Sequence, residues 1–400
     1  MPADQNPADQ LAASNLPASN LPAPDAADRA NQAARSVTRA FGRRLLFIPG
    51  THLGTVTLPS AGSLRSLAAP WHYWWQAHYV DCLVDAGRRE LASGVKFDGG
   101  SRPSAGRLAS RLVTTIRIRN LFRFINHYYD DMAWLALATL RLESLAREAK
   151  KPGRRRNAYV RKSLTAQFDS ASTDELGGGT FWSTARDFKN TPATAPVALY
   201  YARTGNVAKS QALVEWLNTR LLHAERGLYM DGLRIRDGQA FLEEAVYTYN
   251  QGPVLGALLE LGGTGNLERA ARLISATARE LTVPGTGIIR GDGTGDGGLF
   301  TGILVRYLAL AARDERLPED TRATARNLVA ATADALWSGR TDAGHGPASR
   351  PRHVFSYDPL RPAAETYPAG AAVELSTQLQ AWMILEAAAT IPSNAPIPTK

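Results

Sequence analysis

The sequence predicts an all-α fold, a toroidal (α/α)6 barrel built from six helical hairpins. From about residue 26 onward, apolar residues recur with the 3.6-residue period of an α-helix, and Gly and Pro interrupt the pattern. Alternating β-branched runs, which would indicate strands, are scarce. A chain of 400 residues with 44% hydrophobic residues can bury one large core.

The apolar period predicts twelve helices. They are expected near residues 26–43, 71–92, 105–126, 129–149, 155–168, 190–204, 206–222, 245–262, 265–281, 297–313, 319–338 and 371–390. Asn206 and Asn266 are suited to cap helix N-termini, and Gly205 and Gly262 can take the left-handed conformation that ends a helix. The helices therefore pair as antiparallel hairpins.

Six hairpins favour a closed barrel over an open α-solenoid. Each hairpin can bury its apolar stripe only against its neighbours, and a closed ring has no exposed ends. A solenoid would show a sequence repeat, which these hairpins lack. We expect one barrel domain over residues 26–392, preceded by a disordered extension over 1–25 and followed by a tail over 393–400.

The composition limits the classes of ligand and partner that we expect the protein to bind. The net charge is +9, but apart from one basic run over residues 150–162 the charges are scattered along the chain, so no nucleic-acid partner is expected. The seven histidines form no pair at metal-binding spacing, and we expect neither a metal nor a cofactor. The single cysteine, Cys82, lies on an apolar helical face and is expected to be a buried structural thiol.

Targeting signals are not evident in the sequence. No stretch of 18 consecutive apolar residues predicts a membrane span. The N-terminal residues lack the basic and apolar regions of a signal peptide, so the expectation is a cytoplasmic protein. We also expect a monomer.

Asp130 and Asp131 are the strongest catalytic candidates. They lie within Asn126–Trp134 (NHYYDDMAW), where a strongly apolar helix begins. An Asp at that position usually caps the helix, but consecutive helical side chains point about 100° apart, so the two cannot cap the same amides. Adjacent carboxylates can meet the separation of roughly 5 Å that a retaining glycosidase needs, and their repulsion would raise one pKa, as the acid requires.

Other strings combine aromatic and polar residues in a way that suits sugar binding. The segment Trp71–Asp81 (WHYWWQAHYVD) has three tryptophans in five residues; one at least is expected in the core, while Gln76 and Asp81 could reach sugar hydroxyls. The Gly-rich stretch over 285–298 lacks the Lys-Ser/Thr pair of a phosphate-binding loop. The substrate-binding candidates are Trp75, Gln76, Tyr129, Asn190, Tyr249, Asn250, Gln251, Asp292 and Asp296.

These strings resemble glycoside hydrolase family 76, the endo-α-1,6-mannanases and their fungal transglycosylase relatives, over residues 71–390. The likeness is carried by WWQAH at 74–78, YYDDMAW at 128–134, KNTPA at 189–193, TYNQG at 248–252 and GD at 291–292 with GGLF at 297–300. The resemblance implies the (α/α)6 barrel and a retaining mechanism on α-1,6-linked mannose. It also implies that Asp130 is the nucleophile and Asp131 the acid/base.

The expected activity is therefore hydrolysis of α-1,6-mannosidic linkages in mannan or mannooligosaccharides. Three alternatives stay open at this point. They are a mannosyl transglycosylase on the same fold, a sugar epimerase that uses a histidine pair, and a mannan-binding protein without catalysis.

Overall fold

The structure, a computed structural model, describes residues 25–60, 70–152, 155–343 and 352–391. Residues 1–24 of the predicted extension over 1–25, and the whole predicted tail over 393–400, lie outside these residues. Twelve long α-helices and one short one are present in the described part: α1 (Ala26–Phe41), α2 (Tyr73–Ser93), α3 (Ala105–Arg119), α4 (Tyr129–Glu148), α5 (Arg155–Ala171), α6 (Thr191–Arg203), α7 (Val207–Arg220), α8 (Thr248–Leu261), α9 (Thr264–Glu280), α10 (Phe300–Ala311), α11 (Glu319–Ser338), α12 (Ala363–Thr366) and α13 (Leu375–Ala388).

Six of the long helices form a closed inner ring. Helices α2, α4, α6, α8, α10 and α13 each pack against the next, and α13 packs against α2. Helices α1, α3, α5, α7, α9 and α11 lie outside this ring, and each leads into the next inner helix. This closed arrangement confirms the predicted (α/α)6 barrel.

The sequence explains which helices lie inside. In the outer helix α9, Ala270, Leu273, Ile274 and Thr277 are buried, which is one stripe at helical spacing. In the inner helix α10, residues 301–309 are all buried. Among the described helices, inner ones included, none is long and apolar enough to cross a membrane.

The connections carry short antiparallel strands. They are β1 (Gly42–Arg43), β2 (Leu53–Gly54), β3 (Thr57–Leu58), β4 (Phe188–Asn190), β5 (Leu222–His223), β6 (Leu228–Tyr229), β7 (Gly232–Arg236), β8 (Gln239–Glu243), β9 (Thr341–Ala343), β10 (Arg352–Val354) and β11 (Val373–Glu374). Strands β4, β7 and β8 form a three-stranded sheet, while β1–β2, β3–β11, β5–β6 and β9–β10 pair separately. Because each outer helix returns the chain, all inner helices run in one direction and their N-termini meet at one end, which we call the active end.

Buried glutamines in the inner helices fasten the loops of the active end. The Gln76 amide accepts from the Gly54 N–H at 2.9 Å and donates to the Gly54 carbonyl at 3.1 Å. In the same way, the Gln251 amide accepts from the Tyr229 N–H and donates to the Tyr229 carbonyl, both at 2.9 Å. A third clamp of this kind starts from Gln378 in α13. Each of these loops is thus tied to the helix that follows it.

A ring of four charged residues lies in the middle of the barrel. Arg306 bonds to Asp81 at 2.8 Å and to Asp85 at 3.0 Å, and Arg141 pairs with the same two aspartates. Although burial raises the pKa of Asp81, Arg141 and Arg306 hold it down at about 2. Asp81 is therefore an ionised member of this ring of four residues, which we call the ion quartet. Cys82 beside it is fully buried, which confirms the predicted structural thiol.

Two predicted helix ends are wrong, and two are confirmed. Asn266 lies inside α9, where its amide donates to the Gly262 carbonyl at 3.0 Å, so it is not the N-cap. Helix α3 ends at Arg119 rather than near 126, because the Asn120 amide binds backbone carbonyls of the following loop. Gly205 and Gly262 adopt positive φ, as predicted.

Candidate active site

Asp130 and Asp131 lie together in the first turn of α4, at the active end. The N-cap of this helix is Tyr128, whose side chain makes no capping bond. The chain enters the helix through the Tyr129 N–H, which donates to the Trp182 carbonyl at 2.8 Å. Both carboxylates are partly exposed. Neither therefore serves as the usual side-chain cap, which was the structural alternative to catalysis.

Asp130 accepts hydrogen bonds on both of its oxygens. The Trp182 indole N–H donates to Oδ2 at 3.0 Å, and the Asp131 backbone N–H donates to Oδ1 at 2.9 Å. Two donors stabilise the ionised form of this carboxylate. Both bonds therefore favour the carboxylate form of Asp130.

Asp131 is bonded on one oxygen only. The Tyr128 N–H donates to Asn126 Oδ1 at 2.9 Å, which turns the Asn126 Nδ2 toward Asp131 Oδ2, at 2.6 Å. Because Oδ2 accepts from this amide, a proton retained by Asp131 sits on Oδ1. The two acids therefore differ in their hydrogen bonding.

The pKa shifts of the two acids agree with this difference in hydrogen bonding. Burial raises the pKa of Asp130 to about 7, although the bonds from Asp131 and Trp182 limit the rise. Burial and the charge of Asp130 raise the pKa of Asp131 well above its usual range. When the pair loses its first proton, the charge settles on Asp130 and the proton stays on Asp131. This is the division between a nucleophile and an acid.

Asp296 places a third carboxylate near the pair. Its Oδ1 accepts from the indole N–H of Trp75 at 2.8 Å and from that of Trp74 at 3.1 Å. Its charge also raises the pKa of Asp130 and of Asp131. Because its side chain is 59% exposed, Asp296 keeps free acceptor positions for a ligand.

Aromatic rings line the same region. Tyr249 stacks on Phe300 with ring centroids 3.8 Å apart, and Phe300 lies 6.3 Å from Trp74. Burial raises the pKa of Tyr249 well above its usual range, and the charges of Asp231, Asp130 and Asp296 add to this. Tyr249 thus lies among the carboxylates, where its ring can meet the apolar face of a sugar.

The other predicted binding residues are mostly buried. Trp75 contacts the site through its bond to Asp296. Tyr129 and Asn250 are buried, and the amide nitrogen of Asn250 lies 3.5 Å from Asp231 Oδ1. Gln76 and Gln251 are the loop clamps described above. Asn190 caps α6 through the Ala193 N–H, and Asp292 accepts from the N–H and hydroxyl of Thr248 at the start of α8. Direct sugar contact by these residues stays a prediction.

Sequence reasoning missed Asn126 and Trp182 as partners of the acids. Asn126 stands in the same string as the aspartates, but its role depends on the turn that brings it back to Asp131. Trp182 is 52 positions from Asp130, so only the fold brings them together. Among the described residues, no three His, Cys, Asp or Glu side chains could hold a metal ion.

Comparison with known proteins agrees with this geometry. The sequence model of glycosyl hydrolase family 76 matches residues 57–390. The chain is 26% identical to the GH76A alpha-1,6-mannanase of Salegentibacter sp. HEL1_6, with a TM-score of 0.74 over 91% of this chain and 99% of that chain. No curated protein sequence matches the chain.

Two further structures are similar. One is an inactive variant of the Salegentibacter enzyme, with two adjacent aspartates changed to asparagine, in complex with alpha-1,6-mannotriose; it is 26% identical, with a TM-score of 0.73 over 91% of this chain and 99% of that chain. The other is the Lin0763 protein of Listeria innocua, 24% identical, with a TM-score of 0.73 over 92% of this chain and 97% of that chain. At that identity, the second supports the fold alone.

Proposed function

Because this chain belongs to glycosyl hydrolase family 76, we propose that it cleaves α-1,6-mannosidic linkages of mannan or mannooligosaccharides with retention of anomeric configuration. The chain is a glycoside hydrolase. The single observation that carries the mechanism is the unequal hydrogen bonding of the adjacent Asp130 and Asp131. The choice of linkage is supported by the Salegentibacter enzyme, whose inactive variant is also changed at two adjacent aspartates.

The bonds of each acid define its step. The Asp130 carboxylate attacks the anomeric carbon while Asp131 protonates the departing glycosidic oxygen from Oδ1. A covalent mannosyl-enzyme forms, and Asp131 then takes a proton from the water that displaces Asp130. Two inversions at the same carbon give overall retention. Trp182 and the Asp131 N–H stabilise the Asp130 carboxylate before attack and after its release.

Digestion of linear α-1,6-mannan tests the proposal. We expect shorter α-1,6-mannooligosaccharides, and proton NMR of the first products should show the α-anomer before mutarotation. Products longer than an oligosaccharide substrate would indicate transglycosylation, and an initial β-anomer would contradict retention. An α-1,2-linked mannooligosaccharide, offered as the matched control, should not be cleaved. Binding without cleavage would contradict the proposed function as a whole.

Asn126 is a positioning residue for Asp131, and its removal should change the pH profile. In Asn126→Ala the Asp131 carboxylate loses the bond that stabilises its charge, so its pKa rises further. The alkaline limb of kcat/KM should therefore move to higher pH, with kcat falling about tenfold because the acid is less well oriented.

Asn120→Ala is the matched control for this experiment. Its amide belongs to the same loop but binds only backbone carbonyls, at 3.1 and 3.0 Å. We expect the alkaline limb of this variant to coincide with that of the unchanged enzyme. If both variants lose activity with unchanged limbs, Asn126 only supports the loop.

A further inference from the structure

Two loops at the active end expose large apolar side chains. In the loop between β1 and β2, Phe47 is 75% exposed, with Leu46 and Ile48 exposed beside it. In the loop after α3, Leu121 is 83% exposed and Phe122 67%. Single exposed apolar residues are common on soluble proteins, but a cluster of this kind marks an interaction surface.

The two loops are neighbours. The His52 N–H, at the end of the first loop, donates to Thr115 Oγ1 in α3 at 2.9 Å. The second loop starts at Asn120, only about 7.5 Å farther along the helix at 1.5 Å per residue. Both loops follow outer helices, so both lie at the end of the barrel where α2 and α4 begin.

The backbone holds these side chains outward in an unfavourable conformation. Leu46–Phe47 have φ of 45° and 62°, and Leu121–Phe122 have φ of 53° and 61°. Bulky residues rarely adopt this left-handed region, which glycine and asparagine accept more readily. The second loop is also fastened by the Asn120 amide, which donates to two of its carbonyls. The exposed apolar side chains thus belong to ordered loops that carry strain.

Basic residues surround the apolar tips. The sequence over 29–80 and 99–129 has twelve arginines and no aspartate or glutamate. Away from the tips, Arg29 pairs with Asp334, and Arg39 and Arg102 pair with Asp98. Arg43, Arg44 and Arg123 flank the tips, are exposed, and form no ion pair with any described residue.

We propose that Leu46–Ile48 and Leu121–Phe122, with Arg43, Arg44 and Arg123, form a docking surface for a bilayer of anionic lipids. The apolar tips enter the headgroup region, and the arginines meet lipid phosphates. A second copy of the chain fits less well, because a symmetric pairing sets the same arginines against each other. The inference goes beyond the proposed function: it places the active end, where Asp130 and Asp131 lie, at a membrane surface.

Vesicle co-sedimentation of the full chain tests the proposal. The protein should sediment with vesicles of phosphatidylcholine and phosphatidylglycerol, and not with phosphatidylcholine alone. The double variant Phe47→Asn/Phe122→Asn should bind about tenfold more weakly or worse, because two apolar tips are lost. Asparagine tolerates the left-handed backbone, so the melting temperature should stay the same or rise. Arg43→Gln/Arg44→Gln should also weaken binding, and added salt should do the same.

Val95→Asn is the matched control. Val95 is 69% exposed but follows the C-terminus of α2, at the opposite end of the barrel. Binding of this variant should equal that of the unchanged protein. The proposal is overturned if anionic vesicles are not bound, or if the double asparagine variant binds them as before. A further contradicting result would come from sedimentation velocity. If the unchanged protein is a dimer, and Phe47→Asn/Phe122→Asn abolishes the dimer but leaves vesicle binding unchanged, the surface pairs two copies of the chain.

Discussion

Asp130→Asn is expected to lower kcat on α-1,6-mannooligosaccharides on the order of 10⁴-fold or more, since the amide cannot form the covalent intermediate. The variant should fold normally. Its indole partner Trp182 still finds an acceptor in the Asn carbonyl oxygen. Steady-state rates test the expected loss of kcat, and the melting temperature of the same preparation tests normal folding.

The stability of the unchanged enzyme, compared with that of this variant, should depend on pH in a defined direction. The pKa of Asp130 is about 7 in the folded protein, against 3.8 for the unperturbed group. The folded state therefore binds this proton more tightly, and the resulting stability is full below the lower value and lost as the pH rises through the upper one. Across that interval the unchanged enzyme should lose melting temperature relative to Asp130→Asn. A parallel pH course for both proteins would contradict the raised pKa of Asp130.

Asp131→Asn is the companion variant, because it removes the acid and keeps the nucleophile. A substrate with a good leaving group, such as an aryl α-mannoside, needs little protonation, so its first step should suffer least. The mannosyl-enzyme should then accumulate, since no base activates water. If Asp130→Asn rather than Asp131→Asn accumulates the intermediate, the two roles are reversed.

Arg306→Met is expected to destabilise the protein by about 3–5 kcal/mol, the largest stability effect we predict for a single substitution. The change leaves the buried Asp81 and the half-buried Asp85 with Arg141 as their only cationic partner among the described residues. Methionine fills much of the space, so the loss is mainly electrostatic. Chemical denaturation followed by tryptophan fluorescence measures the effect.

Arg88→Met controls for loss of an arginine in an ion pair. Arg88 lies in α2, the helix that also carries Asp81 and Asp85, and it bonds Glu148 at 3.1 and 3.2 Å, but both side chains are more than a third exposed. Exposed pairs contribute less than about 1 kcal/mol, so this variant should be nearly as stable as the unchanged protein. Equal losses in the two variants would contradict the importance of the ion quartet.

The helical architecture could be predicted because it depends on local patterns. Apolar period and Gly/Pro interruptions depend on neighbouring residues, and they identified twelve helices and a closed ring. The paired aspartates were also recognisable, since two acids in succession at an apolar helix start have no shared capping role. Asn266 was misplaced because its side chain satisfies bonds that only the folded structure reveals.

The rest of the site depends on contacts between distant segments. Trp182 meets Asp130 only when the loop between α5 and α6 packs against the start of α4, and the ion quartet joins residues up to 225 positions apart. The bonds from Gln76 to Gly54 could not be predicted from the sequence, because an amide suits a loop anchor and a sugar ligand equally. The same limit applies to charge: Arg43 and Arg44 lie far from Arg123 in sequence, and only the fold places α1 and α3, which precede them, on the same side of the barrel.

The glutamine clamps have a consequence for how such enzymes diversify. Each clamp binds a backbone N–H and carbonyl rather than a side chain, although a Cβ at Gly54 would lie 2.6 Å from Leu375 Cδ2, so that anchor also requires glycine. The loop residues outside these anchor points can thus be exchanged while the anchor points persist. New substrate preferences can arise at the rim without rebuilding the helices that carry the chemistry.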